Sequence, residues 1–261
     1  MEPLGKTRAL TRGARLGLVV LLAVGSALAR GWRGADPPGV VLWAWDRPED
    51  LRFADPRRAA VASLVGTLRL RADRVQVEAR PHPLIVAAGT VLVPVVRIET
   101  DPLLRPVLSG EQRRQAAAAI AALVGGPTAR HVQLDFDATR RERSFYRALL
   151  SDLRVRLAPD ATLSITALAS WCFGDRWLDD LPVDFAVPML FRMGPDGEAI
   201  RLALDGGLDF PSPLCRHGAG VSLDEPIPLL PPGRPLYVFA PRPWSAVSYR
   251  DAVALAGGSP G

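Results

Sequence analysis

The sequence predicts a parallel α/β fold, best fitted by a closed (β/α)8 barrel of the TIM type whose last third is incomplete in its alternation. Three observations predict it. Short runs that are apolar at every position, rich in β-branched and aromatic residues, recur along the chain, and such runs are strands buried on both faces. Helical segments with capping signals stand between them, the alternation that a parallel sheet requires. The 261 residues, less a leader, match the length at which an eight-stranded barrel becomes possible. A doubly wound sheet is the alternative, but Trp43-Ala-Trp-Asp-Arg-Pro48, after the first run, lacks the glycine fingerprint of that fold.

Residues 1–29 read as a leader ahead of one domain over 30–261. Lys6, Arg8, Arg12 and Arg15 precede an apolar run over 16–28, and Ala27-Leu-Ala29 offers small residues where a signal peptidase reads. An uncleaved anchor is the other reading, although the run is shorter than the ~20 residues that cross a hydrocarbon core. Either way the body is expected outside the cytoplasm, in the periplasm or cell envelope, with membrane contact only through 1–29. The formal net charge of +5 is largely the leader's, because beyond residue 29 there are 28 basic and 26 acidic side chains. That balance leaves no cationic stripe for a nucleic acid.

The elements follow in order. Gly39–Trp45 is the first strand and 46–50 a turn. Pro56–Val65 reads as a short helix, 66–80 as a strand or hairpin about Ala72-Asp73, and Thr90–Glu99 as a strand with Pro94 inside it. Ser109-Gly-Glu-Gln112 is a capping box opening an alanine-rich helix that Gly125-Gly-Pro127 closes. His131–Asp137 is a strand. Thr139-Arg-Arg-Glu142 is a second capping box, and Phe145, Leu149, Leu153 and Leu157 recur at helical spacing behind it. Thr162–Leu168 is a strand and Asp175–Asp180 a short helix. Strands at Asp184–Phe191, Gly220–Leu223 and Pro235–Ala240 and a helix from Ser245 to Ala256 complete the chain; the rest of 194–234 is rich in Gly and Pro and reads as loop.

Side chains at the carboxyl ends of barrel strands converge on one face. Asp135-Phe-Asp137 is the sharpest group there. Residues i and i+2 of a strand point the same way, so both carboxylates would face the mouth and Phe136 the helix layer. Like charges roughly 7 Å apart oppose each other's ionisation and keep a proton available. Glu99 and Glu225 are candidates for a second carboxyl across the site. Trp45, Trp171, Phe191 and Trp244 are candidate sugar-stacking residues, and Arg97 and Arg192 either pair with the aspartates or clamp an anionic group. Scattered histidines at 82, 131 and 217 predict no metal, and no cofactor motif is present. Cys172 and Cys215 would share an oxidising compartment, and the sequence leaves open whether they meet.

Asp135-x-Asp137, followed by a capped helix bearing Tyr146, resembles the fourth strand of chitinase-like glycosidases of the glycoside hydrolase family 18 type, which ends Asp-x-Asp-x-Glu. Met189-x-Phe191 is similar to their Met-x-Tyr, and Trp244 to the tryptophan that floors their sugar site. Thr139 stands where that motif has its acid. Trp43–Leu51, Val132–Ala138, Ser164–Cys172, Val187–Gly194 and Asp224-Glu-Pro226 together resemble the uncharacterised bacterial family DUF3142, over nearly the whole mature chain. The resemblance implies a glycosidase-like barrel; in that family's pattern Glu usually follows the residue matching Asp184, where this chain has Phe185. The expectation is an exported protein that acts on a glycan or other small polar substrate. Hydrolysis of a glycosidic bond would use Asp135 and Asp137, with Glu99 or Glu225 as the acid. The alternatives are a non-catalytic carbohydrate-binding barrel and a cell-envelope interaction protein.

Overall fold

The structure is a computed structural model that describes Met1 and residues 39–257; apart from Met1, the leader expected at 1–29 lies outside the described residues. Eleven strands, β1 (Val40–Ala44), β2 (Glu49–Leu51), β3 (Ala59–Arg71), β4 (Arg74–Ala79), β5 (Leu84–Val86), β6 (Leu92–Thr100), β7 (His131–Asp135), β8 (Thr162–Leu168), β9 (Phe185–Met189), β10 (Ala219–Ser222) and β11 (Leu236–Phe239), alternate with five helices, α1 (Gly110–Val124), α2 (Arg143–Arg154), α3 (Ala169–Gly174), α4 (Gly197–Asp205) and α5 (Ala246–Gly257). Eight strands run parallel in the order β1-β3-β6-β7-β8-β9-β10-β11, and β1 pairs β11 to close the barrel. The last third closes as well. Its irregularity lies in the β10–β11 connection, which carries no helix. Among the described residues no helix is long and apolar enough to cross a membrane.

Each closed strand is covered on both sides, which is why β1 is buried at every position. Val41, Trp43, Ala60, Ala62, Val93, Val95, Phe185, Val187 and Tyr237 fill the barrel, while the intervening positions join the larger core beneath the helices. Large and small side chains share each rung: Trp43 stands beside Ala62 and Tyr237 faces Gly220. A Cβ on Gly220 would come within 2.8 Å of the Trp43 ring.

Two departures from expectation have packing reasons. The segment Pro56–Val65, expected as a helix, contains the start of the longest strand, β3. Its alanines at 60 and 62 are small because Trp43 and Tyr237 occupy the space around them, and helix propensity is overridden by that requirement. In 194–234 the helix α4 was not expected; Ile200 and Leu204 bury one side of it against the barrel's outer core.

The first two crossovers carry no helix, and arginines hold the exposed backbone together. Arg80 donates to the carbonyls of Ala44 (3.0 Å), Arg47 (2.6 Å) and His82 (2.8 Å), tying the end of β1 to β4. Arg47 donates to Ala240 O (2.8 Å) and Arg242 O (2.6 Å) and pairs with buried Glu49 at 2.6 Å, closing the β1–β11 seam. Beyond a bulge between Leu64 and Gly66, β3 and β6 run on past the other strands. There Leu68 and Leu70 face α1 while Thr67, Arg69 and Arg71 alternate to the open side, so burial switches to a period of two. The second expected hairpin strand is β4, turning at Ala72 with a left-handed φ of 47°.

Candidate functional site

The carboxyl ends of β6, β7 and β8 form a polar wall of the barrel mouth. Along β7 the inward positions run Gln133, Asp135, and then Asp137 just beyond the strand. Gln133 accepts from Trp43 Nε1 at 2.9 Å across the barrel. Above it, Asp135 is 8% exposed and accepts from Thr166 Oγ1 at 2.6 Å. Phe136 points the other way, edge-on to Tyr146 at 5.1 Å in the helix layer, as strand alternation requires.

Burial raises the Asp135 carboxyl above the usual range, against the lowering effects of the Thr166 hydrogen bond and Arg97; Asp137 adds a smaller upward push. Asp137 is open to solvent on one side, and desolvation on the other also raises it, with Arg97 opposing. Both groups therefore keep a proton to higher pH than a free aspartate.

Arg97 stands in register with Asp135, 3.8 Å from its carboxylate, and binds Glu99 at 2.9 Å. Glu99 also accepts from Arg69 at 2.9 Å, and that hydrogen bond holds it below the ordinary glutamate range. A carboxylate held ionised by two guanidiniums is not a proton donor, so the acid role expected of Glu99 is removed by its partners. Glu225 is engaged differently. Both its oxygens accept from the Arg192 N–H, at 3.0 and 3.1 Å, and Arg201 holds it at 3.2 Å. It serves the loop that follows β9 and is committed to backbone there.

The opposite wall is aromatic. Trp45 is half-buried at the end of β1, Phe191 follows β9, and Phe239 ends β11. Phe191 stacks on Phe239 at 5.6 Å with planes 3° apart and meets Trp43 edge-on at 6.1 Å. The Arg192 guanidinium lies 5.4 Å from the Phe239 ring centre.

Two expected stacking residues lie elsewhere. Trp171, 5% exposed in α3, packs edge-on against Trp177 at 4.9 Å in the outer core. Trp244, 6% exposed, donates from Nε1 to Trp43 O at 2.9 Å while its N–H binds Glu49. Both are wedged between the barrel and its surroundings, where no ring face is open. Cys172 of α3 and Cys215 form a disulfide, Cα atoms 5.9 Å apart, tying the β8–β9 connection to the β9–β10 connection.

Sequence reasoning missed Thr166, Arg69 and Phe239. Alternation along Thr162–Leu168 and Leu236–Phe239 carries the signal for the first and last, since each continues the inward positions of its strand. Arg69 falls in the expected strand or hairpin over 66–80, where alternation with Leu68 and Leu70 sets it on the open face, but nothing local pairs it with Glu99. Comparison with models of protein families, with curated proteins and with solved structures found no match.

Proposed function

We propose that the barrel mouth binds a glycan. The observation that carries this is the pairing, on the carboxyl face of one barrel, of an aromatic wall (Trp45, Phe191, Phe239) with two proton-retaining carboxyls (Asp135, Asp137). A sugar ring has apolar C–H faces that stack on aromatic rings and a rim of hydroxyls that pair with carboxyls, and the two walls match those two surfaces. The resemblances to DUF3142 and to chitinase-like barrels favour the same ligand class. The apolar run ahead of the body and the Cys172–Cys215 disulfide favour an exported protein meeting that glycan outside the cytoplasm.

Hydrolysis is the second reading, favoured by Asp137. Its carboxyl is raised and open to the mouth, as a group that protonates a leaving oxygen must be. With Thr139 at the acid position of the chitinase motif, and Glu99 and Glu225 committed elsewhere, Asp137 is the proton donor in this reading.

An oligosaccharide array probed with the full chain tests both. Binding should weaken roughly tenfold or more in Trp45→Ala. New reducing ends, released by the wild type and absent with Asp137→Asn, would establish hydrolysis; binding without them leaves a carbohydrate-binding barrel. An array on which nothing binds refutes the glycan reading.

A further inference from the structure

We propose that the glycan is acidic and that Arg192 receives its carboxylate; this rests on the glycan reading above. Three described residues other than glycine adopt a left-handed backbone: Ala72, Leu108 and Arg192. Ala72 sits in the β3–β4 turn, and Leu108 directly precedes the Ser109 cap of α1, so chain reversal accounts for both. Arg192, with φ 49°, follows a barrel strand at the mouth. A side chain bearing a Cβ is disfavoured there, and such outliers persist where the surroundings enforce them.

The surroundings that enforce it are specific. Glu225, brought in by the loop after β10 and held by Arg201 of α4, places both oxygens on the Arg192 N–H. That carboxylate fixes the backbone of Arg192, and among the described residues no acid pairs with its guanidinium. The guanidinium instead lies over Phe239, whose ring is in turn stacked on Phe191. Two arginines on the aspartate side of the mouth are neutralised: Arg97 by Glu99 and Asp135, Arg69 by Glu99 and Glu78. Arg192 sets an exposed cation against the aromatic wall, on the side of β11, across the closed barrel from the aspartates of β7. A guanidinium can donate singly to the hydroxyls of a neutral sugar, but its planar fork matches a sugar carboxylate in two parallel, charge-assisted hydrogen bonds. A ring face below it excludes water from one side and strengthens that pairing.

The test measures equilibrium binding of the full chain to oligogalacturonate, oligomannuronate and glucuronate-branched xylan fragments, each beside the same oligosaccharide with its carboxyls reduced to alcohols. At least one acid form should bind roughly tenfold or more tightly than its reduced counterpart, and added salt should narrow that gap. Arg192→Gln should abolish the gap, lowering affinity for the acid form far more than for the reduced form. Arg192→Gly removes the guanidinium and relaxes the left-handed backbone, so it should melt at a higher temperature than wild type and still lose the gap, which separates recognition from folding. Equal binding of acid and reduced forms, or a gap that survives Arg192→Gln, overturns the acidic-glycan inference and leaves the glycan reading standing. If neither form of any oligosaccharide binds, and the array is equally empty, the glycan reading fails and this inference with it.

Discussion

At Asp135, burial and hydrogen bonding push in opposite directions, and burial dominates. A carboxyl raised in the folded state binds its proton more tightly there than in the unfolded chain. Stability therefore falls as pH rises from the ordinary carboxyl range through the folded value, and is level above it. Asp135→Asn lacks that loss and retains an acceptor for Thr166, so it should gain stability relative to wild type as pH rises above the ordinary carboxyl range in urea titrations; a difference independent of pH would contradict this account. Glu99 has the opposite sign. Its lowered carboxyl contributes above the ordinary glutamate range and is lost as pH falls through the folded value, so Glu99→Gln should cost about 0.5–1 kcal/mol at pH 7 and nothing in strong acid. The orientation of Asp135, Phe136 and Asp137 was legible in the sequence, because strand alternation is a local property. The fates of Glu99 and Glu225 were not. Their partners, Arg69 and the Arg192 N–H, lie about 30 residues away and arrive only when strands pair and loops fold over.

Among the elements, β3 shows most clearly what packing decides. Its alanines at 60 and 62 read as helix formers in isolation and as strand residues only beside Trp43 and Tyr237. The same logic makes Gly220 a strand residue that the barrel cannot replace. Gly220→Ala should lose about 2–3 kcal/mol in chemical denaturation, because the added methyl overlaps the Trp43 ring, which is itself tied to Gln133. Small-to-large changes at open sites such as Gly194 should lose far less. The connections after β8 and β9 depend on a covalent tie as well. Replacing Cys172 and Cys215 together by Ser removes a cross-link spanning 43 residues of sequence and should cost about 2–4 kcal/mol, read as a shift in denaturation midpoint that reducing agent reproduces in the wild type.

At the scale of the whole molecule, a barrel has to close, and the seam between β1 and β11 falls where no helix covers the β1–β3 crossover. Arg47 and Arg80 hold that region by donating to main-chain carbonyls that would otherwise be half-satisfied. Arg80→Met keeps the apolar stem and removes the donors, and should lower stability by about 3 kcal/mol; with a domain of this size the melting temperature should drop by roughly 6–12 °C. An unchanged melting temperature would show that water replaces the guanidinium at no loss. The Asp-Arg-Pro-Glu stretch after β1, conspicuous in the sequence, thus serves closure through Arg47 and Glu49.

The parallel α/β class and the placement of Asp135 and Asp137 on one face of their strand were legible in the sequence, since apolar runs, capping residues and a period of two express local steric and hydrophobic preferences; the strand order came only with the structure. Tertiary structure alone decided which carboxylates are paired with arginines, which tryptophans are buried, and which guanidinium lies over Phe239. Those outcomes depend on pairings between residues far apart in sequence, and a buried charge or ring is defined by all the neighbours that closure of the barrel brings to it.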